Sequence, residues 1–282
     1  MNSIAYLGIP GSFTHTAAKQ LFDGDELIGK KSFLEIFTSV TDGEAQHGVI
    51  PIENTLAGSI YENYDLLDEC NLFITGETYV KIDHCLLVPK DSLAAKTGDI
   101  SKIKRVYSHP KALEQCSVFL NQYPKMERMA YSDSATAAKY VAGFQADSIA
   151  SISARVNAKT YGLKLLKADI QDEGINYTRF LVISREATKP RSRKYKCTID
   201  IRLKHVAGSL SSVFSYLSNN NCNVMKIESR PIHDHPFEYT FYIDFSYDNT
   251  NADITNVIEG IRPLAQQLKL LGVYTDGRAE VK

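Results

Sequence analysis

The sequence predicts two α/β domains joined by a linker: an open sheet with crossover helices, then a βαββαβ module of ferredoxin-like type. Three observations carry that reading. Between residue 3 and about 185, short apolar runs alternate with stretches of helical periodicity. A basic, proline-containing stretch without periodicity, Lys189-Pro190-Arg191-Ser192-Arg193-Lys194, then interrupts the pattern. Beyond it the order of elements changes. The boundaries are 1–185 for the first domain, 186–194 for the linker and 195–282 for the second.

In the first domain, Ile4 to Leu7 reads as a strand before a helix carrying Phe13, Ala17 and Leu21. Gly48 to Ile52 precedes a helix carrying Ile60, Tyr64 and Leu67, and Arg105 to Tyr107 precedes one carrying Leu113, Cys116 and Leu120. These faces recur at helical spacing after strand-length runs, as crossover units require. Val80, Ile82, His84, Leu86 and Val88 alternate strictly and predict one longer strand, placed to cross between two sheets. Leu163 to Leu166 and then Thr178 to Ile183 read as the returning half. The lobes are therefore expected at roughly 1–80 plus 162–185, and at 81–161. After the linker come a strand (Cys197 to Leu203), a helix (Leu210 to Leu217), two strands (Val224 to Ser229, Tyr239 to Phe245), a helix (Ile254 to Ile261) and a short strand near Val273.

Composition excludes several classes. The 282 residues carry 32 Lys plus Arg against 33 Asp plus Glu, a net charge of −1, so neither nucleic acid nor an anionic membrane is an expected partner. No apolar run reaches membrane-spanning length, and Met1 to Ile4 lacks the features of a signal peptide. The five cysteines, Cys70, Cys85, Cys116, Cys197 and Cys222, form no C-x-x-C or Cys/His cluster. The expectation is a cytoplasmic, reduced chain with no metal and no cofactor.

Three loops of the first domain share one design, a strand that ends in small or hydroxyl residues opening a helix. They are Gly8 to Thr14, Glu53 to Ser59 and Ser132 to Thr136, with Ser59 and Glu62 spaced as a capping box. Helix N-termini offer unpaired N–H groups and a positive dipole end, which suit carboxylates and phosphates. In an open α/β sheet such loops gather at one edge, where ligands bind. The glycines fit neither G-x-G-x-x-G nor a P-loop, and no G-x-S-x-G elbow is present. His109 in Ser108-His109-Pro110 reads as a structural loop histidine. At Asn176-Tyr177-Thr178-Arg179-Phe180, an amide, a hydroxyl and a guanidinium meet at the mouth of a buried strand, making Thr178 the first candidate for chemistry. The ligand expected from these residues is small and anionic, held by neutral donors with Arg179. Strand alternation leaves a second role open for Arg179, bracing the cleft or linker.

Taken together, these segments resemble the prephenate dehydratase family over nearly the whole chain. Tyr6-Leu7-Gly8 with Gly11 to Thr14 is similar to its glycine loop, Pro51-Ile52-Glu53-Asn54-Thr55 to its P-I-E-N-S motif, and Ser108-His109-Pro110 with Gln115-Cys116 to its S-H-P segment. Tyr161-Gly162-Leu163, Ile170-Gln171-Asp172 and Asn176 to Phe180 are similar to the signature ending in N-x-T-R-F. Thr55 and Ser12 exchange serine and threonine while keeping the hydroxyl, and Ile9-Pro10 rearranges the usual proline. The second domain resembles the ACT regulatory module.

The resemblance implies a two-lobed, periplasmic-binding-protein-like catalytic domain followed by an ACT domain. It implies a carbon–oxygen lyase that converts prephenate to phenylpyruvate with loss of carbon dioxide and water, in phenylalanine biosynthesis. Thr178 takes the catalytic role, and Ser12, Asn54, Thr55, Ser134, Asn176, Arg179 and Phe180 are the expected substrate-binding residues. L-phenylalanine is the expected effector, at Gly208, Ser209 and Leu210 with Glu228, Ser229, Arg230 and Pro231, between subunits of a homodimer or homotetramer. Ser209 places a polar group beside that pocket. Arogenate, the amino analogue, is an alternative substrate, and a non-catalytic small-anion sensor is an alternative use of the architecture.

Overall fold

The computed structural model describes residues 2–144, 147–188, 194–232, 235–248 and 254–280. Residues 189–193 of the expected linker lie outside the described residues. The chain opens with β1 (Ser3–Leu7), α1 (Phe13–Leu21), β2 (Glu26–Lys30), α2 (Phe33–Thr41), β3 (His47–Asn54), β4 (Gly58–Ser59), α3 (Tyr61–Glu69) and β5 (Phe73–Lys81). Ser12 and Ser32 cap α1 and α2 by accepting from the N–H groups of His15 and Glu35.

A second group follows: β6 (Cys85–Pro89), α4 (Leu93–Thr97), β7 (Arg105–Ser108), α5 (Pro110–Glu114), α6 (Ser117–Asn121), β8 (Glu127–Ala130), α7 (Ser134–Gly143), β9 (Ile149–Ser153), α8 (Val156–Thr160) and β10 (Leu163–Lys167). β11 (Tyr177–Ser184) then returns to the first group. The last domain holds β12 (Lys194–Arg202), α9 (Ser209–Asn219), β13 (Asn223–Ile232), β14 (His235–Asp248), α10 (Ile254–Ile261) and β15 (Gln267–Thr275).

The first lobe is built on a sheet ordered β2-β1-β3-β11-β5, with β4 paired to β3. β11 runs antiparallel to both neighbours, wedged between β3 and β5. The second lobe is a sheet ordered β10-β6-β9-β7-β8. Two segments cross between the lobes, residues 82–84 and residues 168–176. This is the two-lobed, periplasmic-binding-protein-like arrangement. The third sheet, β13-β14-β12-β15, is antiparallel throughout and carries α9 and α10 over one face in ferredoxin-like order.

Its other face packs on the first lobe. Tyr242, Leu271 and Tyr274 share one buried cluster with Ile36, Phe37, Ile50, Leu67 and Ile74. The opposite face of the first sheet buries Tyr6, Ala17, Val49, Val80 and Phe180 against α1.

Four details depart from the sequence reading. Leu163–Lys167 pairs antiparallel with β6 and so belongs to the second lobe, which leaves β11 as the strand returning to the first. The alternation from Val80 to Val88 is broken at 82–84 into two strands, each serving a different sheet. The periodicity of Leu113, Cys116 and Leu120 spans two short helices rather than one. Ser59 caps nothing: Ile60 occupies the cap of α3 without a side-chain bond, and the Ser59 hydroxyl donates to Glu228 in the last domain.

Candidate active site

β3 and β11 end together at the cleft. Beyond a register shift at Phe180 and Pro51, only the pairs Arg179–Glu53 and Thr178–Asn54 remain. A bulge of this kind re-aims the side chains that follow it. Period-2 alternation then sends Thr178 and Asn54 to the cleft, and Arg179 and Glu53 to the other face.

Asn54 is held by its carbonyl, which accepts from the N–H groups of Leu56 at 3.0 Å and Ala57 at 2.8 Å. Its amide hydrogens are thereby aimed at Asn176 Oδ1 (2.7 Å), Thr178 Oγ1 (3.0 Å) and the carbonyl of Tyr177 (3.1 Å). Thr178 accepts that bond, so the proton of its own hydroxyl is left to donate into the cavity. The residue is 8% exposed. A chain of polar contacts continues across the lobes. Asn176 donates to Gln115 Oε1 at 3.4 Å, and His84 Nε2 meets the same oxygen at 2.9 Å. With the carbonyl oxygen as acceptor, His84 carries its proton on Nε2, and its buried Nδ1 has no partner among the described residues. Burial pushes the His84 pKa down, outweighing the bond to Gln115, so the ring is neutral near pH 7.

Two helix starts face the same space. Ser12, at the start of α1, accepts from His15 N–H and donates to the carbonyl of Leu7 at 3.1 Å. α7 begins at Ser134 behind Asp133, which caps it by accepting from Thr136 N–H at 2.8 Å and from the Thr136 hydroxyl. Ser108 gives its hydrogen to the carbonyl of Ile152 at 2.6 Å, so Ser134 is the donor in their 3.1 Å contact. The two lobes are also tied at the glycine loop. Asn157 donates to the carbonyl of Gly11 at 3.0 Å, and the Tyr161 hydroxyl donates to the carbonyl of Pro10. Gly11 is required there: its φ is +90°, and a Cβ would sit 1.7 Å from Asn157 Oδ1.

Ser12, Asn54, His84, Gln115, Ser134, Asn176 and Thr178 line one cavity of about 750 Å³ between the lobes, a size suited to a small ligand. Leu7, Ile9, Phe13, Ile82 and Phe180 supply apolar wall; Lys30, Lys31 and Lys111 supply positive charge, with Lys30 paired to Glu44 at 3.4 Å and Lys111 to Glu114 at 2.9 Å. Among the described residues, Asp133 is the sole carboxylate lining it, and its oxygens are already engaged. The site is built to receive an anion.

The structure brings Ser12, Asn54, Ser134, Asn176, Thr178 and Phe180 together in this cavity. It does not bring Thr55 or Arg179 there. Thr55 turns outward, its hydroxyl accepting from the N–H of Tyr177 at 3.0 Å. Arg179 is 3% exposed on the opposite face, bonded to Glu77 at 2.7 Å, to Asp244, and to Tyr274 at 2.9 Å. Burial opposes its charge, but Asp244, Tyr274 and Glu77 hold its pKa well above the ordinary value. It is a guanidinium locked in a seam, unable to reach a ligand in the cleft.

The residues expected at an effector site also separate. Gly208, with φ +88°, starts α9, and Ser209 and Leu210 line a cavity of about 340 Å³ with Leu203, Glu238, Tyr239 and Phe241. Glu228 and Arg230 instead face the first lobe. Arg230 grips Asp65 at 2.8 and 2.7 Å and lies over the Tyr61 ring. Ser229 and Pro231 sit on the other face of β13, paired with Phe241 and Tyr239. Sequence reasoning missed His84 and Gln115 in the cleft, and Asn157 and Tyr161 as the ties that hold its glycine loop. His84 left a signal as a polar residue inside the alternating run from Val80 to Val88, and Gln115 and Tyr161 stood within motifs without marking a role; Asn157 left none.

The prephenate dehydratase family model matches residues 4–188. The bifunctional chorismate mutase/prephenate dehydratase of Escherichia coli (strain K12) is 36% identical over 277 residues, covering 96% of this chain and 70% of that protein. The arogenate dehydratase/prephenate dehydratase 2, chloroplastic, of Arabidopsis thaliana is 35% identical over 281 residues, covering 96% and 72%. The solved structure of prephenate dehydratase in complex with L-Phe from Arthrobacter aurescens matches with a TM-score of 0.85 at 26% identity, covering 98% of this chain and 90% of that one. With the two-lobed cleft and its threonine in place, the chain belongs to the prephenate dehydratase family.

Proposed function

We propose that this chain is a prephenate dehydratase whose catalytic donor is Thr178. The observation that carries the reading is the Asn54–Thr178 pair: Thr178 accepts from Asn54 at 3.0 Å, which leaves the threonine proton free to meet an oxygen in the cavity. In the reaction the bond from the ring to its carboxylate breaks, and carbon dioxide leaves. The electron pair moves into the ring, and the ring hydroxyl departs from the far carbon as water. The departing oxygen needs a proton, and a threonine hydroxyl is too weak an acid to give one up outright near pH 7. A positioned hydrogen bond with shared proton transfer suffices because aromatisation drives the step. Such assistance contributes about 10² to 10⁴ in rate. The Asn54 bond polarises the Thr178 hydroxyl in the same direction.

The backbone N–H groups at the N-termini of α1 and α7, the turns that Ser12 and Ser134 open, orient the two carboxylates of the substrate, with Lys31 and Lys111 adding positive potential. Asn176 and Phe180 complete the wall beside Thr178. No redox change occurs, so the reaction calls for no cofactor. Among the described residues no group of His, Cys, Asp and Glu could hold a metal ion. Prephenate is the substrate of this reading, and arogenate, its amino analogue, is the alternative that the test below separates.

The last domain is read as an ACT regulatory module that binds L-phenylalanine. The N-terminus of α9 would receive its carboxylate, Glu238 its ammonium, and Leu210 and Phe241 its ring. β13 is an edge strand that carries the exposed Ile227, and we assign homodimer or homotetramer contacts to that edge. Among the described residues no helix is long and apolar enough to cross a membrane, and the reading places the enzyme in the cytoplasm.

The test is turnover of prephenate and arogenate by the unmodified chain and by Thr178→Ala. The expectation is phenylpyruvate formation by the unmodified chain, preference for prephenate, and a loss of about 10² to 10⁴ in kcat in the variant with the fold intact. Thr178→Ser should keep part of the activity. Full activity in Thr178→Ala would overturn the assignment, and tight prephenate binding without any turnover would favour a sensor.

A further inference from the structure

One strand of the last domain reaches the catalytic pair indirectly. On the inward face of β13, Lys226 Nζ lies 2.7 Å from Glu53 Oε2 and donates to Ser59 Oγ at 3.0 Å. Ser59 in turn donates to Glu228, which stands two residues further along the same face. Glu53 directly precedes Asn54. Ser59 is the register partner of Glu53, and Gly58 that of Asn54, in the short β3–β4 pairing. The hairpin that carries Asn54 is therefore gripped at both of its arms by side chains from the other domain.

The ladder that holds this hairpin against β11 is short past the register shift at Pro51: Glu53–Arg179 and Asn54–Thr178, then one last backbone bond from Thr55 N–H to the carbonyl of Tyr177 at 2.9 Å. Side chains add to what fixes their separation. Glu53 does so on the seam face, meeting Arg179 Nη1 at 3.4 Å with one carboxylate oxygen and Lys226 with the other. Removing the Lys226 ammonium frees that carboxylate to swing toward Arg179. Asn54, one residue along, moves with it. The hydrogen bond that leaves the Thr178 proton free for the cleft is the contact such a movement would disturb. The other face of β13 carries Ser229 and Pro231 beside Phe241 and Tyr239, which line the cavity at α9.

We propose that Lys226 and Glu228, acting through Glu53 and Ser59, form a positioning clamp by which the last domain sets the Asn54–Thr178 pair. Neither residue touches substrate, and the proposal rests on the dehydratase reading above. It predicts an effect on kcat rather than on substrate binding, because the carboxylate-binding helix starts at Ser12 and Ser134 lie apart from the hairpin.

The experiment compares Lys226→Met, which keeps the stem and loses the charge, with Lys226→Arg, which keeps the charge, in the full chain with prephenate. Lys226→Met should lose about 10-fold in kcat with KM held within about twofold, and Lys226→Arg should recover most of it. Thermal unfolding of both variants checks that the domains remain docked. Ser59→Ala, which removes the hydroxyl between Lys226 and Glu228, should lower kcat in the same sense if Lys226→Met fails to fold. Wild-type kcat in Lys226→Met, or an equal loss in Lys226→Arg, overturns the clamp while the dehydratase reading stands. Absence of phenylpyruvate formation by the unmodified chain overturns both.

Discussion

Thr178 and Arg179 are neighbours on β11, yet they look onto opposite chemistries. The cleft face offers Thr178 amides, hydroxyls and helix N-termini, with its positive charge set at the rim. The seam face surrounds Arg179 with Glu53, Glu77, Asp244 and Tyr274, and Lys196 joins the same cluster through Glu77 at 2.7 and 2.9 Å. Neutral donors leave a cavity uncommitted, so an incoming dianion brings the charge that completes it. Seam charges complete one another before any ligand arrives. Buried ion pairs of that kind are poor evidence for net stability but hold a docking geometry, since breaking one strands the rest. A single strand thus separates the face that binds from the face that holds.

Arg179→Met tests that separation most severely. It leaves Asp244 without its bonded cation and Glu77 with Lys196 alone, and loss of one partner of a buried pair costs about 3–5 kcal/mol. Urea unfolding should report a loss of that size. Catalysis by the folded fraction should stay closer to wild type than in Thr178→Ala. A variant that unfolds like wild type while its substrate KM climbs would mean that Arg179 reaches the cleft after all.

Much of the cleft was legible because strand ends and helix starts gather at one edge of an α/β sheet. Ser12, Asn54, Ser134 and Thr178 all lie at such points. Thr55 and Arg179 failed for a local reason: each sits one residue from a cavity residue, and alternation turns it away. The partners of Arg179 were out of reach for a different reason. Glu77 is 102 residues distant and Asp244 is 65, and no periodicity links them. Glu228 and Arg230 were misplaced because their surroundings depend on which face of the third sheet lacks helices and docks on α3. Gln115 was visible as part of a motif, but its reach to Asn176 depends on a break between α5 and α6 that an unbroken apolar spacing concealed.

A second seam contact has a smaller and pH-dependent effect. Asp200 of β12 is 3% exposed and accepts from the Thr240 hydroxyl, with Asp68 of α3 close by. Burial, opposed by the Thr240 bond and reinforced by Asp68, raises its pKa from 3.8 to about 6. The folded state therefore favours protonated Asp200. Its stabilising effect is complete below about pH 4 and is lost as pH rises through about 6, amounting to roughly 2–3 kcal/mol for a shift of about two units. The difference in unfolding free energy between wild type and Asp200→Asn should shift by that amount across the window. A difference that stays constant from pH 4 to pH 7 would remove Asp200 from the set of buried seam charges.

The gentlest probe sits at the mouth of the cleft. The Thr55 hydroxyl accepts one backbone N–H, that of Tyr177, at 3.0 Å. That bond sits on an exposed rim, where water can replace it, so Thr55→Ala should cost no more than about 1 kcal/mol. Because the hydroxyl points away from the cavity, the KM for prephenate should hold within about twofold. The comparison of faces would break if KM rose tenfold or more while stability stayed put. Such a result would place Thr55 on the substrate, and the outer rim of the β3–β11 pair would then count as binding surface rather than support.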